Sequence, residues 1–289
     1  MATRIVAFLT ALAMVAAALA VRAARDSDGS ASEGGLALVC ARELGDLCDE
    51  LDARTEAANT TADRLIGLGR DEDPELDAWL VPGPWPQMVD DVREFDGKPR
   101  IFDEPETLGW SSLVVVTRGD AIDAACAESW NCLADGTIAD GGHAVGAPAV
   151  ADATGVLVRA AALSARVRTT EYGTEVFGDH GGWLTELTRA LDRRQFQAGT
   201  LRRFLTTPGS ADAFVTTRAA ATAAGATDAA RPAPPVEVAL SLALRDGASK
   251  PAGINDLVLE HGWSPPQTPV AVDSGLPSPD VLYALREFL

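Results

Sequence analysis

The fold is decided between Leu36 and Val81, where the sequence reads LALVCARELGDLCDELDARTEAANTTADRLIGLGRDEDPELDAWLV. Segments 36–40, 54–57 and 76–81 are predicted strands, and the segments between them carry apolar residues at helical spacing. Strands that alternate with helices at these intervals pair in parallel within one sheet. The stretch therefore predicts a doubly wound α/β sheet.

The alternation of strands and helices continues towards the C-terminus. Apolar and β-branched runs predict further strands at 113–117, 143–148, 214–216 and 236–244, with helices between and after them. The order predicts an α/β protein of two lobes, each a mostly parallel sheet flanked by helices. The predicted boundaries are 36–115 for the first part of lobe I, 116–235 for lobe II and 236–289 for the return to lobe I with the C-terminal helices.

The charge balance excludes nucleic acid as a partner. The chain of 289 residues has 24 Lys and Arg against 42 Asp and Glu, which gives a formal net charge of −18. A nucleic-acid binder needs cationic side chains that replace the counterions of the phosphates. The same acidity opposes binding to anionic lipid, so no membrane contact is expected from the body of the protein.

The N-terminal segment predicts export. Arg4 precedes an apolar run at 5–21, and small residues such as Ala24 follow it. Residues 1–24 are interpreted as a signal peptide or, since the run is long, as an uncleaved membrane anchor. Residues 25–35 form a linker. The expected location is extracellular or in the cell envelope.

Four cysteines in an exported chain predict disulfide bonds. Cys126 and Cys132 enclose a short loop that a bridge closes easily. Cys40 lies in a predicted strand and Cys48 two turns into the following helix. This spacing can place their Cα atoms beyond the limit of about 7 Å for a bridge. For this second pair, a disulfide and two buried free thiols both stay open.

Two helix starts are candidate ligand-binding sites, because ligands of open α/β sheets lie beyond the carboxyl ends of the strands, where helix N-termini are found. Unpaired N–H groups and hydroxyls at these places can hold an oxyanion. The alternative for the first start is that Thr60 caps its helix together with Asp63. The candidate residues are Asn59, Thr60 and Thr61 at the first start, and Asp152 and Thr154 at the second.

Three further candidates come from the ends of predicted strands. Trp85 lies in a rigid corner, 82–86, and would line the wall of a cleft, although the prolines around it fit an ordinary helix start. Ser111 and Ser112 precede the strand predicted at 113–117 and would donate to a ligand, or would simply begin the strand.

The ordered set of motifs resembles a known family. The set consists of segments 36–41, 59–65, 77–88, 112–116, 130–133, 145–148 and 275–277. Together these are similar to extracellular solute-binding proteins of actinobacterial type, with the type II periplasmic binding protein fold. The resemblance implies two lobes with a ligand cleft between them, and an ABC importer permease as a candidate partner.

Enzymatic motifs are absent from the sequence. It contains no Gly-x-Ser-x-Gly elbow and no P-loop, and His143, His180 and His261 lack the spacing of metal ligands. The sequence therefore predicts a non-catalytic protein, without metal or cofactor, that captures a small polar or anionic solute in an interlobe cleft. Two alternatives stay open: an envelope interaction or sensing module with a degenerate binding-protein fold, and a hydrolase or transferase on a similar α/β frame.

Overall fold

A computed structural model describes residues 36–193, 200–226, 228–266 and 274–289. The strands are β1 Leu38–Ala41, β2 Arg54–Glu56, β3 Ala78–Pro82, β4 Glu106–Thr117, β5 Val145–Gly146, β6 Ala213–Thr217, β7 Ala229–Ala230 and β8 Glu237–Leu244. The helices are α1 Asp46–Glu50, α2 Ala58–Gly67, α3 Trp85–Phe95, α4 Ala124–Ala127, α5 Trp130–Ile138, α6 Ala153–Val167, α7 Val176–Arg193, α8 Thr200–Thr206, α9 Arg218–Ala223, α10 Ile254–Glu260 and α11 Pro279–Phe288.

The first sheet has the strand order β2-β1-β3-β8-β4. β1 pairs in parallel with both β2 and β3, as the predicted strand-helix alternation requires. β8 is antiparallel to both of its neighbours, β3 and β4. Four strands therefore share one direction, and the strand that returns from the later part of the chain runs against them.

The second sheet is built on the same strand β4. Residues Glu106–Ser112 of β4 pair with β8 in the first sheet, whereas Leu113–Thr117 pair with β6 in the second. β5 is parallel to β6, and β7 pairs antiparallel with β4. One continuous strand thus joins the two sheets, and we call each sheet with the helices packed on it a lobe.

A continuous apolar core joins the lobes through α6. One cluster of buried residues contains Val39 and Trp85 of the first lobe and Val115 and Leu157 of the second. Gly83, with φ +83°, lies where an added Cβ would come within 3.3 Å of Leu157. The positive φ favours glycine at this turn, and the small residue also leaves room for Leu157 of α6.

Two sequence predictions of element boundaries are wrong. α2 begins at Ala58 and its cap residue is Ala57, so Thr60 does not cap it. Ser111 and Ser112 lie inside β4 rather than before it, because β8 extends the pairing back to Glu106. The short strand predicted at 54–57 is confirmed as β2.

The predicted Cys126–Cys132 disulfide bond is present, and so is the Cys40–Cys48 bond, which the sequence left open. Cys126 and Cys132 have Cα atoms 5.2 Å apart. Cys40 and Cys48 are bonded with Cα atoms 5.8 Å apart, so the alternative of two free thiols is wrong. Gly45, with φ +50°, separates a short 3-10 turn from α1, and Cys48 therefore lies in the first turn of α1, close to β1.

No helix within the described residues is both long and apolar enough to cross a bilayer. The predicted signal peptide or anchor and the linker before residue 36 lie outside the described residues. The prediction of export therefore stays a prediction.

We expect mild reduction of the native protein to open the Cys126–Cys132 bond first, because Cys132 is exposed whereas Cys40 and Cys48 are completely buried. Alkylation followed by mass spectrometry measures the order. Replacement of Cys126 and Cys132 together by Ala should lower the free energy of unfolding by about 2–3 kcal/mol, as expected for a short loop. In denaturant both bonds should open at similar rates; a difference that persists there would refute the role of burial.

Candidate functional site

A cavity of about 290 Å³ lies where the carboxyl ends of strands from both sheets meet. The first lobe contributes Pro82 at the end of β3 and the turn that follows β1. The second contributes Thr216 and Thr217 at the end of β6, and Pro148 after β5. This is the position at which open α/β sheets bind ligands. Its volume suits a small solute.

The turn after β1 carries charged side chains across the cavity to the second lobe. Nε of Arg42 lies 2.6 Å from Oδ1 of Asp152, which is the cap residue of α6. Asp152 is buried and makes no capping bond to its own helix. Its carboxylate therefore pairs with Arg42 of the first lobe instead of capping its own helix.

Glu43, the next residue, occupies the N-terminus of α6. Its Oε1 accepts hydrogen bonds from the backbone N–H of Thr154 at 2.9 Å and from the Thr154 hydroxyl at 2.7 Å. A carboxylate is favoured at a helix N-terminus, where N–H groups are unpaired and the helix dipole is positive. The place that the sequence predicts for an oxyanion thus holds a carboxylate of the chain itself.

The environment of Glu43 opposes its ionisation. Burial raises the pKa of this carboxyl group from 4.5 to about 7, and the nearby charge of Asp152 adds to the rise, while the bonds from Thr154 and the charge of Arg42 act in the other direction. Its second oxygen, Oε2, is buried and has no hydrogen-bond partner among the described residues. One acceptor at the cavity wall is therefore unsatisfied.

Asn59 and Trp85 form a second link between the lobes, beside the cavity. The Asn59 side chain donates to the carbonyl of Val150 at 2.6 Å, and its backbone N–H donates to Ala151 at 3.0 Å. Its Oδ1 accepts from Nε1 of Trp85 at 2.9 Å, and Trp85 is completely buried. The bond to Ala151 satisfies a free N–H in the first turn of α2 without a capping side chain.

The other sequence candidates lie outside the cavity lining. Thr60 is exposed, and Thr61 is buried and donates to Glu56 at 2.7 Å. The Ser111 hydroxyl accepts from the backbone N–H of Ala219 at 2.9 Å, and Ser112 donates to the carboxylate of Glu237 at 2.9 Å. Of the eight candidates, Asp152 and Thr154 line the cavity. A ligand-binding role for all eight stays a prediction.

Several cavity residues were missed by sequence reasoning. They are Arg42, Glu43, Asp46, Arg202, His261 and Trp263. Arg42 and Glu43 follow directly after a buried strand, and this position is the signal that could have found them. Arg202, His261 and Trp263 follow no such strand end.

The site has no metal centre within the part of the chain that the structure describes, where no three His, Cys, Asp or Glu side chains lie close enough to hold an ion. His261 lines the cavity and lies 3.2 Å from Oε1 of Glu50. His143 and His180 do not line it.

The chain has the two-lobed type II periplasmic binding protein fold, which confirms the predicted fold class. The Trichodesmium protein IdiA (FutA) in complex with iron and citrate is 10% identical, covers 88% of this chain and 95% of its own, and has a TM-score of 0.51. Apo FutA2 from Synechocystis PCC6803 is 11% identical, covers 88% and 94%, and has a TM-score of 0.49. The periplasmic binding protein AfuA from Actinobacillus pleuropneumoniae, with fructose-6-phosphate bound, is 10% identical, covers 78% of each chain and has a TM-score of 0.47.

At such identities the likeness establishes the fold alone. No protein-family model and no curated protein matches the chain. The similarity to actinobacterial solute-binding proteins in particular stays a prediction.

Replacing Asn59 by Ala should lower the free energy of unfolding by about 2–3 kcal/mol, because it removes an interlobe bond and leaves Nε1 of the buried Trp85 without an acceptor. Urea unfolding measures the change. Asn131→Ala is the matched control, since the exposed Asn131 also donates its amide to a backbone carbonyl, that of Ala165 at 3.2 Å, but within one lobe. Equal losses in the two variants would contradict the interlobe role of Asn59.

The raised pKa of Glu43 predicts that the free energy of unfolding decreases as the pH rises. The folded protein retains the Glu43 proton up to about pH 7, whereas the unfolded chain loses it near 4.5, so this contribution is complete below pH 4.5 and is lost as the pH rises through 7. Between pH 5 and 8 the wild type should lose about 1–3 kcal/mol that Glu43→Gln does not lose. Urea unfolding at both pH values measures this difference.

Asp46→Asn is the control, because it removes the same charge from an exposed cavity residue. If Asp46→Asn changes the dependence of the free energy of unfolding on pH as much as Glu43→Gln does, this dependence reflects net charge and not the burial of Glu43.

Proposed function

We propose that this protein captures a small polar solute in the cavity between its two lobes and performs no chemistry on it. The observation that carries the proposal is the cavity itself, which is shared by the strand ends of both sheets. Small-molecule sites are concave, are lined by apolar surface with a few polar groups, and lie at this place in open α/β sheets.

The proposed mechanism is closure of the lobes about the strands that connect them. β4 changes sheet between Ser112 and Leu113, and at this point Leu113 donates to the carbonyl of Val236 at 2.9 Å. Rotation here would separate Arg42 from Asp152 and Glu43 from Thr154. Solute would enter the open form and be enclosed when these pairs meet.

The expected setting of this function is the outside of the cell membrane. Residues 1–24 support export, as a signal peptide or as an anchor. The proposed lobe boundaries near residues 115 and 236 are supported by β4, which changes sheet after Ser112, and by β8, which lies in the first sheet from Glu237 onwards. We propose an ABC importer permease as the partner that receives the solute. The net negative charge of the chain opposes binding to nucleic acid.

A second candidate function is an interaction or sensing module of the envelope. It is favoured by the way the chain's own groups fill the expected ligand positions: Glu43 occupies the N-terminus of α6, and Asn59 bonds to Val150 and Ala151. A protein that closes on itself in this way can present a fixed surface to a partner without a solute. The hydrolase or transferase alternative gains no support from the cavity, since neither His143 nor His180 lines it.

A panel of small solutes tests solute capture. Ammonium, carboxylate, phosphate, amino-acid and sugar compounds at millimolar concentration are tested by thermal shift, and one class should raise the melting temperature by several degrees. Ala220→Phe should abolish the shift, because Ala220 lines the cavity. Thr222→Phe, in the same helix α9 but outside the cavity lining, should retain it.

The absence of any shift has two explanations, which the Asn59→Ala variant separates. If the panel shifts this variant alone, the interlobe bonds hold the lobes closed and the cavity is still a solute site. If no compound shifts either protein, solute capture is refuted, and the interaction module becomes the better explanation.

A further inference from the structure

The charged groups around the cavity leave one negative charge uncompensated. Its lining contains the carboxylates of Glu43, Asp46 and Asp152 and the guanidinium groups of Arg42 and Arg202. Arg42 is bound to Asp152 at 2.6 Å, and Arg202 faces Asp46 at 3.8 Å. Glu43 is therefore the carboxylate without an ion pair of its own, since its hydrogen bonds come from the neutral donors of Thr154 and the charge of Arg42, which is bonded to Asp152, acts on it without direct contact.

The free oxygen of Glu43 specifies what is missing. Both bonds from Thr154 reach Oε1, so Oε2 is buried with no donor among the described residues. A buried carboxylate oxygen in this state costs free energy that a hydrogen-bond donor, and most of all a charged one, would offset. The missing group is therefore a cationic N–H donor.

We infer that the cavity takes a solute with an ammonium or guanidinium group, which pairs with the carboxylate of Glu43. Because Oε2 is covered in the present arrangement, the solute reaches it when the lobes open. This inference rests on the proposed solute capture and names the chemical class of the solute. The remainder of the solute contacts an apolar wall formed by Phe214, Trp263 and Leu201. A volume of about 290 Å³ limits it to a small organic cation.

An anionic solute fits the same cavity poorly. The helix N-terminus that would bind an anion is already occupied by Glu43, and Arg42 is already neutralised by Asp152. An anion would approach an unpaired carboxylate and would add like charge to it. The same buried oxygen that rejects an anion attracts a cation.

Matched solutes of equal size test the inference. Butylammonium, 1-butanol and butanoate, together with agmatine and putrescine, are titrated by calorimetry and thermal shift at pH 8. We expect the cations to bind and raise the melting temperature, and the alcohol and the carboxylate to have no effect. Glu43→Gln should weaken cation binding at least about 10-fold, as for loss of a buried charge-assisted bond.

The matched control is Asp46→Asn, which removes one carboxylate from the same cavity. Asp46 is exposed and faces Arg202, so its loss should change cation affinity less than about 3-fold, in line with a surface ion pair. If both variants weaken binding equally, the cavity attracts cations through its overall field and the specific role of Glu43 is refuted.

The pH dependence of binding supplies a readout that a structural role of Glu43 would not move. A proton and the cation compete for this carboxylate, whose pKa is about 7 without ligand, so affinity should fall about 10-fold or more from pH 8 to pH 5.5. The other titratable or charged groups that line the same cavity are Arg42, Asp46, Asp152, Arg202 and His261. If Glu43→Gln keeps the pH dependence, another group carries it and the inference is wrong.

Failure of this inference and failure of solute capture give different results. If butanoate, a phosphate compound or a sugar binds and Ala220→Phe blocks it, solute capture stands and the cationic class is refuted. If no compound of either panel binds to the wild type or to Asn59→Ala, both are refuted.

Discussion

Beside the apolar core that they share, the two lobes are held together at the cavity by a carboxylate that crosses from one to the other. Glu43 follows β1 of the first lobe, and its Oε1 accepts two hydrogen bonds from Thr154 at the start of α6 in the second. A helix N-terminus stabilises negative charge, but burial removes the carboxylate from water and raises its pKa to about 7. These opposing effects meet in one side chain, so the stability of this contact between the lobes is linked to the protonation of Glu43.

The neighbouring contacts limit the free-energy cost of burying polar groups between the lobes. Asp152 neutralises Arg42, and Asn59 satisfies both a carbonyl of the second lobe and the indole N–H of Trp85. Since a buried polar group without a partner costs about 1–3 kcal/mol, each of these bonds removes a penalty that closure would otherwise create. Oε2 of Glu43 is the exception, because it is buried without a partner in a side chain that lines the cavity.

Much of the fold could be predicted from local patterns, whereas most of the site could not. The alternation between residues 36 and 81 predicts parallel pairing because strand and helix periods are visible in adjacent residues. The interlobe contacts join residues far apart in the chain: Glu43 and Thr154 are separated by 111 positions. Nothing in the segment around Glu43 shows which helix it will meet. Even the Cys40–Cys48 bond depends on Gly45, whose positive φ ends the 3-10 turn and places Cys48 close to β1.

The two candidate functions differ in one quantity, which is the free energy of closure without a solute. A ligand shifts an equilibrium between two forms only by its difference in affinity for them. If the bonds of Asn59 and Thr154 already make closure strongly favourable, a solute shifts the equilibrium between the open and closed forms very little. A fixed closed shape can then serve as a surface for a partner. If the buried charge of Glu43 nearly cancels those bonds, a cation at Oε2 restores the balance and its capture is coupled to closure. Because the ionised fraction of Glu43 varies around neutral pH, the balance between the two regimes is set by the pH as well as by the sequence.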